Sequence, residues 1–222
     1  MDIKEQQQLL WSLIDEGEKD KALDLLLDSA GETSFKKVIF EILEPSMVEW
    51  GKLWMQGKLS LAHGYLVGKI AEELYLKASL SKEFLAAAPQ KKGTIILGNI
   101  EDDFHPLGRR LVNIFSQTAG WEIIDLGNDV MAETFVEKAQ ERQAHIIAVS
   151  AMMFTTARNI HKVRQELDKR GLTGKVQLAV GGAVFKLRPE LVAEIGADGT
   201  TTSAIEAPAL FDSLWIKSLQ TA

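Results

Sequence analysis

The chain of 222 residues contains no cysteine, which excludes disulfides, zinc thiolate sites, iron–sulfur clusters and a cysteine nucleophile. It also lacks any apolar run approaching the length of a bilayer span. The first ten residues are charged and glutamine-rich, without the apolar core of a signal peptide. An excess of positive charge is missing as well: 25 Lys and Arg against 31 Asp and Glu leave a formal net charge of −6. That argues against a nucleic acid as the main partner, because phosphate binding wants a basic face. No internal repeat or low-complexity tract is present. What remains is an ordinary globular composition, 46% hydrophobic, long enough for one large domain or two small ones. A soluble cytoplasmic protein is expected, with no membrane association and no direct nucleic-acid binding.

The pattern changes near residue 90. Residues 2 to 86 read as helix throughout. Leu9, Leu10, Leu13 and Ile14 recur at helical spacing and Gly17 punctuates them. Ala22 to Leu27 carry the next apolar stretch, closed by Gly31. Thr33 or Ser34 can cap a third helix through Phe35, Val38, Ile39 and Ile42, which Pro45 must kink or break. Gly57 ends that segment, and a fourth helix follows with Ser60 as N-cap and Leu66, Ile70, Leu74 and Leu76 inside. Four helices with short connections predict a small antiparallel bundle.

After the linker of residues 86–93, strands and helices alternate. Strands are predicted over 94–98, 121–126, 145–150, 176–180 and 198–200. Helices are predicted over 107–118, 131–142, 155–170, 189–195 and 204–219. Five βα units imply a parallel sheet covered on both faces, doubly wound and flavodoxin-like or Rossmann-like. The chain is thus expected to be an α/β protein: a four-helix bundle over residues 1–88, then a five-stranded parallel sheet over 89–222. Ligands of such sheets bind at the carboxyl ends of the strands.

The first strand runs into Asp102-Asp103-Phe104-His105-Pro106-Leu107-Gly108. A carboxylate two residues from a histidine can take one ring N–H and leave the other nitrogen as a neutral donor to a metal. Pro106 keeps the helix from starting early, and Gly108 lets another body approach the backbone. A charged surface loop is the alternative. The third strand ends at Ser150, before Ala151-Met152-Met153-Phe154-Thr155-Thr156. Ser150 could bond a buried heterocycle. Thr156 could extend the Asp103–His105 chain. From the residues alone, simple helix capping is the better reading of both. Gly181-Gly182 ends the fourth strand and suits either a flat ligand or a tight turn. The hydroxyls of residues 200–203 suit an anion or a cap.

Asp103-x-His105-x-x-Gly108, Ser150-x-Met152 and Gly181-Gly182 together resemble the signature of cobalamin-binding domains, found in cobalamin-dependent methionine synthase, corrinoid proteins of methanogens and acetogens, and base-off mutases. Met152 stands where leucine is usual. Residues 124–130 (IDLGNDV) and 195–199 (IGADG) look like the corrinoid-protein versions of those stretches. The resemblance implies cobalamin bound base-off, with His105 as lower ligand of cobalt, Asp103 as its partner and Thr156 as the hydroxyl end of the relay. Ser150 would bond the benzimidazole nitrogen, and Gly181 and Gly182 would line the slot for the tail. Such a relay tunes electron donation to cobalt, while the organometallic chemistry belongs to the cofactor.

Residues 48–60 (VEWGKLWMQGKLS) resemble the third-to-fourth-helix junction of the helical cap that covers the upper corrin face in these proteins. Trp54 would shield that face; plain bundle core is the alternative for Trp50 and Trp54, at i and i+4. Light- and cobalamin-sensing relatives carry Glu-His about ten residues after the tryptophan. Gly64 and Tyr65 stand there, with His63 adjacent. His145 and His161 read as structural or solvent-facing.

The resemblance therefore implies a corrinoid methyl carrier, cycling between cobalt(I) and methylcobalt(III) between partner methyltransferases, with a reductive activator as a further partner. Alone it would be a carrier subunit and not a complete enzyme. A cobalamin-dependent sensor acting through a partner protein is the alternative. A mutase cofactor subunit fits the helical segment poorly.

Overall fold

Pro45 has no N–H to give to a helix, and the third helix of the chain absorbs it without breaking. The helix runs as α3 (Phe35–Val38), a π-turn (Ile39–Leu43) and α4 (Glu44–Met55). Glu44 N–H reaches back five residues to the Ile39 carbonyl. The Glu41 carbonyl, which residue 45 would have served in a regular helix, accepts from Gln7 Nε2 at 2.8 Å instead. The kink expected at Pro45 is thus a π-turn just before it.

This is a computed structural model; it describes residues 1–84 and 92–220, and of Met55 only the backbone. The chain divides into two units, Met1–Leu85 and Ala86–Ala222. The expected boundary at 88/89 and most of the expected linker lie outside the described residues.

The first unit holds α1 (Ile3–Asp15), α2 (Lys19–Glu32), the α3–α4 helix and α5 (Leu61–Ser79). A capping box between Asp2 and Glu5 starts α1. Ser34 caps α3, accepting from Lys37 N–H. Leu10, Ile14, Leu26, Ile39, Leu43, Ile70 and Leu74 are essentially inaccessible and form the bundle core. Trp50 joins them at 6% exposure, whereas Trp54, one turn on, is 43% exposed. Bundle packing therefore accounts for Trp50 and not for Trp54.

The second unit is a parallel sheet of β1 (Thr94–Asn99), β2 (Glu122–Asp125), β3 (Ile146–Ser150), β4 (Gln177–Gly181) and β5 (Gly199–Thr200), ordered β2-β1-β3-β4-β5. The helices between are α6 (Pro106–Thr118), α7 (Ala132–Glu141), α8 (Phe154–Ala157), α9 (His161–Lys169), α10 (Ala183–Leu187), α11 (Leu191–Ile195) and α12 (Ala207–Gln220). The single helix expected over 155–170 is broken by a 3-10 turn, Arg158–Ile160, and α10 was not anticipated. Short segments such as Ala183–Leu187 carry too little periodicity to be read.

Alternating residues feed two cores. Ile95, Leu97, Ile146, Ala148 and Ala179 pack under α6 and α12, through Val112, Phe211 and Leu214. Ile96, Ile147, Val149, Leu178 and Val180 face the opposite layer, with Phe135, Val163 and Leu191. The strand order reverses between β1 and β3, so the loops leaving those two strands diverge and open a crevice at their carboxyl ends.

Candidate functional site

The loops after β1 and β3 meet at Asp103, whose side chain is fully buried. Its Oδ1 accepts from Asn99 Nδ2 at 2.7 Å and from His105 N–H at 3.0 Å. Its Oδ2 accepts from Met152 N–H at 2.8 Å and Thr156 Oγ1 at 2.9 Å. Burial pushes this carboxyl up, but the bonds from Met152, His105, Asn99 and Thr156 together outweigh it and hold it below the usual carboxylate range. A buried carboxylate with four donors is a fixed acceptor.

His105 sits just before α6, where Pro106 starts the helix. Its Nδ1 lies 3.4 Å from Asp103 Oδ1, and the side chain is 49% exposed. Asp103 thus holds the backbone N–H of His105 more closely than its ring, because Oδ1 is already shared with Asn99. Among the described residues no partner meets Nε2. A half-exposed imidazole with one nitrogen toward a buried carboxylate and the other unengaged is the arrangement a metal ligand needs. The loop behind it is tied to the β2–α7 connection: Asp102 N–H donates to Asp129 Oδ1 at 2.9 Å and Glu101 N–H to the Val130 carbonyl at 3.0 Å.

At the carboxyl edge Asn99, Ser150 and Gly181 stand in register on adjacent strands, one row beyond Leu97, Ala148 and Ala179. Alternation places them on the α6/α12 face. Among the described residues the Ser150 hydroxyl has no partner. A Cβ built on Gly181 meets nothing within 4 Å, so open space lies against the backbone there. Gly182 is different: its φ is +118° and a Cβ would fall 1.9 Å from the Ala151 carbonyl oxygen. The second glycine serves the chain's own turn and the first leaves room. Gly108, in the first turn of α6, also leaves open space around its Cα. Phe104, Met152 and Met153, 62%, 47% and 51% exposed, add apolar surface in the same two loops. The hydroxyl-rich stretch after β5 is occupied internally: Thr201 Oγ1 donates to the Ser203 carbonyl and Ser203 caps the next turn.

In the helical unit, Trp54 lies against Gly64, whose Cβ would be 3.1 Å from the indole. Tyr65 and Leu61 are exposed nearby in sequence. His63 is engaged within its own unit: Nδ1 accepts from Ser60 N–H at 3.1 Å in a capping box, and Nε2 contacts Asp15 Oδ1 at 3.2 Å. With Nδ1 accepting, the proton is on Nε2 and no lone pair is left for a metal.

Residue patterns did not single out Asn99 or Arg109. Arg109 is 7% exposed, and its Nε donates to Asn99 Oδ1 at 2.9 Å. Its other nitrogens donate to Asp125 Oδ1 and to Asn128 Oδ1. The available signal was a polar residue closing an otherwise apolar strand.

Comparison with known proteins gives the family of the chain. A family described as the B12 binding domain matches residues 93–209, and a second family of the same description matches residues 6–74. Dimethylamine corrinoid protein 3 of Methanosarcina acetivorans is 34% identical over 192 residues, 86% of this chain and 88% of that protein. Trimethylamine corrinoid protein 1 of Methanosarcina mazei is 37% identical over 155 residues, 68% of this chain and 69% of that protein. In fold, the monomethylamine corrinoid protein of Methanosarcina barkeri superposes with a TM-score of 0.76 at 24% identity, covering 96% of this chain and all of that one. The methanol:cobalamin methyltransferase complex MtaBC of the same organism gives 0.52 at 25% identity, over 93% of this chain and 78% of that one. With its sheet unit matched almost end to end and full-length relatives above 30% identity, the chain belongs to the B12-binding family of corrinoid proteins.

Proposed function

We propose that this protein is a corrinoid methyl carrier that holds cobalamin base-off, with His105 Nε2 as the lower ligand of cobalt, and exchanges methyl groups with partner methyltransferases. The observation that carries the reading is the His105 imidazole, half-exposed at the β1/β3 switch point, Nδ1 toward a buried carboxylate and Nε2 unengaged. The residues present suit the group. Open space against Gly181, beside the unpartnered Ser150 hydroxyl, can take a flat heterocycle, and Met152 and Phe104 offer apolar surface to a macrocycle. The relatives of matching length are methylamine corrinoid proteins by name, which supports methylated amines as the source of the methyl group.

When bound, the corrinoid supplies the cobalt that takes up and releases the methyl group. The protein's own residues bind, orient and shield. Asp103 keeps the His105 backbone in place and offers Oδ1 to its ring. Thr156 and Met152 N–H keep Asp103 ionised, so a proton on His105 Nδ1 has a permanent acceptor and Nε2 stays a neutral donor. Ser150 would bond a nitrogen of the cofactor's tail. Trp54, 43% exposed on its bundle, would be the indole available to shield a bound corrinoid from water. The carrier reading is favoured over a sensor because His63 is consumed by Ser60 and Asp15, and Gly64 and Tyr65 offer no imidazole. A reductive activator and residence in the cytoplasm belong to the same proposal.

The test is transfer of label. Cobalamin-loaded, reduced protein is mixed with a methyltransferase encoded beside it and radiolabelled methylamines. Label co-eluting with the protein in a light-sensitive form is expected. No uptake from any neighbouring methyltransferase, with light-driven assembly changes of the adenosylcobalamin form, would give the role to a sensor.

A further inference from the structure

We infer that Arg109, acting through Asn99, is a positioning residue that holds the His105 loop in the conformation that delivers the ligand. This deepens the cobalamin reading and rests on it. Asn99 is fully buried at the last position of β1. Its Nδ2 donates both to Asp103 Oδ1 at 2.7 Å and to the His105 carbonyl at 3.0 Å, so one amide group clamps both ends of the Asp103–His105 turn. An amide can present either its nitrogen or its oxygen, and the two look alike in shape. The choice is made by what lies on its other side. Arg109 has only donors, and its Nε points at Asn99 Oδ1 from 2.9 Å. Oxygen must therefore face Arg109, and nitrogen must face Asp103 and the His105 carbonyl. A flipped amide would set an oxygen against a carboxylate and a carbonyl, and an N–H₂ against a guanidinium.

Arg109 is itself fixed. Its terminal nitrogens donate to Asp125 Oδ1 at the end of β2 and to Asn128 Oδ1 at 3.3 Å. Asp125 is held in turn by Gly127 N–H at 2.9 Å. The guanidinium is 7% exposed and its charge is balanced by Asp125, so the arrangement is a closed polar network in which each member has one available orientation. The chain of contacts runs from β2 through Arg109 and Asn99 to the His105 backbone. Asn99 and Arg109 are both buried, at 0% and 7% exposure, and their contacts lead to the His105 backbone, so Arg109 acts through the loop and not on the cofactor.

The experiment uses the full chain with Arg109→Met, Arg109→Lys and Asn99→Asp, the last changing one atom at constant volume. Two readouts are taken. In protein without cobalamin, hydrogen exchange of the His105 amide, whose N–H Asp103 accepts, reports the clamp directly. In cobalamin-loaded protein reduced to cobalt(II), electron paramagnetic resonance with isotopically labelled histidine reports the histidine-coordinated fraction. Arg109→Met and Asn99→Asp are expected to speed His105 exchange and lower the coordinated-to-free ratio about tenfold or more. Both variants should also lower global melting, because each leaves a buried charge without its partner, so His105 exchange is read relative to the core amides of the sheet, and Arg109→Lys should restore most of both signals. Wild-type protein with no histidine coupling overturns the lower-ligand reading and this inference with it. Wild-type coupling that persists undiminished, with unchanged His105 exchange, in Asn99→Asp and Arg109→Met overturns this inference alone. Should Arg109→Met fail to fold, Asn99→Asp and Arg109→Lys decide it.

Discussion

Thr156 Oγ1 donates to Asp103 Oδ2 at 2.9 Å, joining the loop after β3 to the loop after β1 across 53 positions of sequence. The same hydroxyl lies 3.0 Å from the Met153 carbonyl, so its single proton goes to the carboxylate or is shared between the two acceptors. Replacing it by valine keeps the shape and removes the donor. Thr156→Val should destabilise the protein by about 1.5–3 kcal/mol, the range for hydrogen bonds to charged groups, and Thr156→Ser should recover most of that. Urea denaturation of the three proteins measures it. Equal midpoints would mean that Asp103 does not depend on this donor.

Asp103 also gives the fold a dependence on pH whose sign is set. Its carboxyl titrates lower in the folded chain than in the unfolded one. The resulting stability is full above the unfolded value, about 4, and fades as pH falls through the lower folded value. Melting temperature should drop below about pH 4 more steeply in wild type than in Asp103→Asn, which should be less stable at neutral pH because its amide N–H₂ would face buried donors. Parallel profiles would remove Asp103 from the acid transition.

The two histidines of interest should separate cleanly. His105 is half-exposed, so His105→Ala should change stability by no more than about 0.5 kcal/mol while shifting the visible spectrum of bound cobalamin. His63→Ala should cost about 0.5–2 kcal/mol through its helix cap and leave that spectrum unchanged. The reverse pairing would move the metal ligand to the helical unit.

Gly181 and Gly182 differ in what a side chain would meet. Gly181→Val fills open space and should leave melting close to wild type while abolishing cobalamin binding. Gly182→Ala places a methyl into the Ala151 carbonyl on a left-handed backbone and should lower melting whether or not cobalamin is present. Tight cobalamin binding by Gly181→Val, measured by spectral titration, would put the tail elsewhere.

Trp50 and Trp54 make a similar pair. Trp50→Ala should destabilise the bundle by about 3–5 kcal/mol. Trp54→Ala should spare stability and cobalamin affinity but speed oxidation of the reduced cofactor in air. Oxidation at the wild-type rate would deny Trp54 a shielding role.

Periodicity and punctuation alone carried the four helices, the five alternating strands and the parallel, doubly wound sheet, because those depend on local spacing of apolar residues. Glycine, proline and capping residues marked most ends, such as Ser60 before α5. Asp103, His105, Ser150 and Gly181 stood out as chemistry-bearing types at strand ends. Other features were invisible along the chain because they join residues far apart or depend on one direction in space. Whether Thr156 capped a helix or met Asp103 required the β1–β3 adjacency. The break of the 155–170 helix at Arg158–Ile160 had no punctuating residue to mark it, whereas Pro45 marked the irregularity in the third helix and only the structure gave it the form of a π-turn at Ile39–Leu43. His63 could be read as a ligand until Asp15, 48 positions earlier, was found at its second nitrogen. Asn99 was one polar residue at the end of an apolar strand; its place between Arg109 and Asp103 exists only once α6 folds back over β1, since a buried amide takes its orientation from its neighbours and not from its sequence.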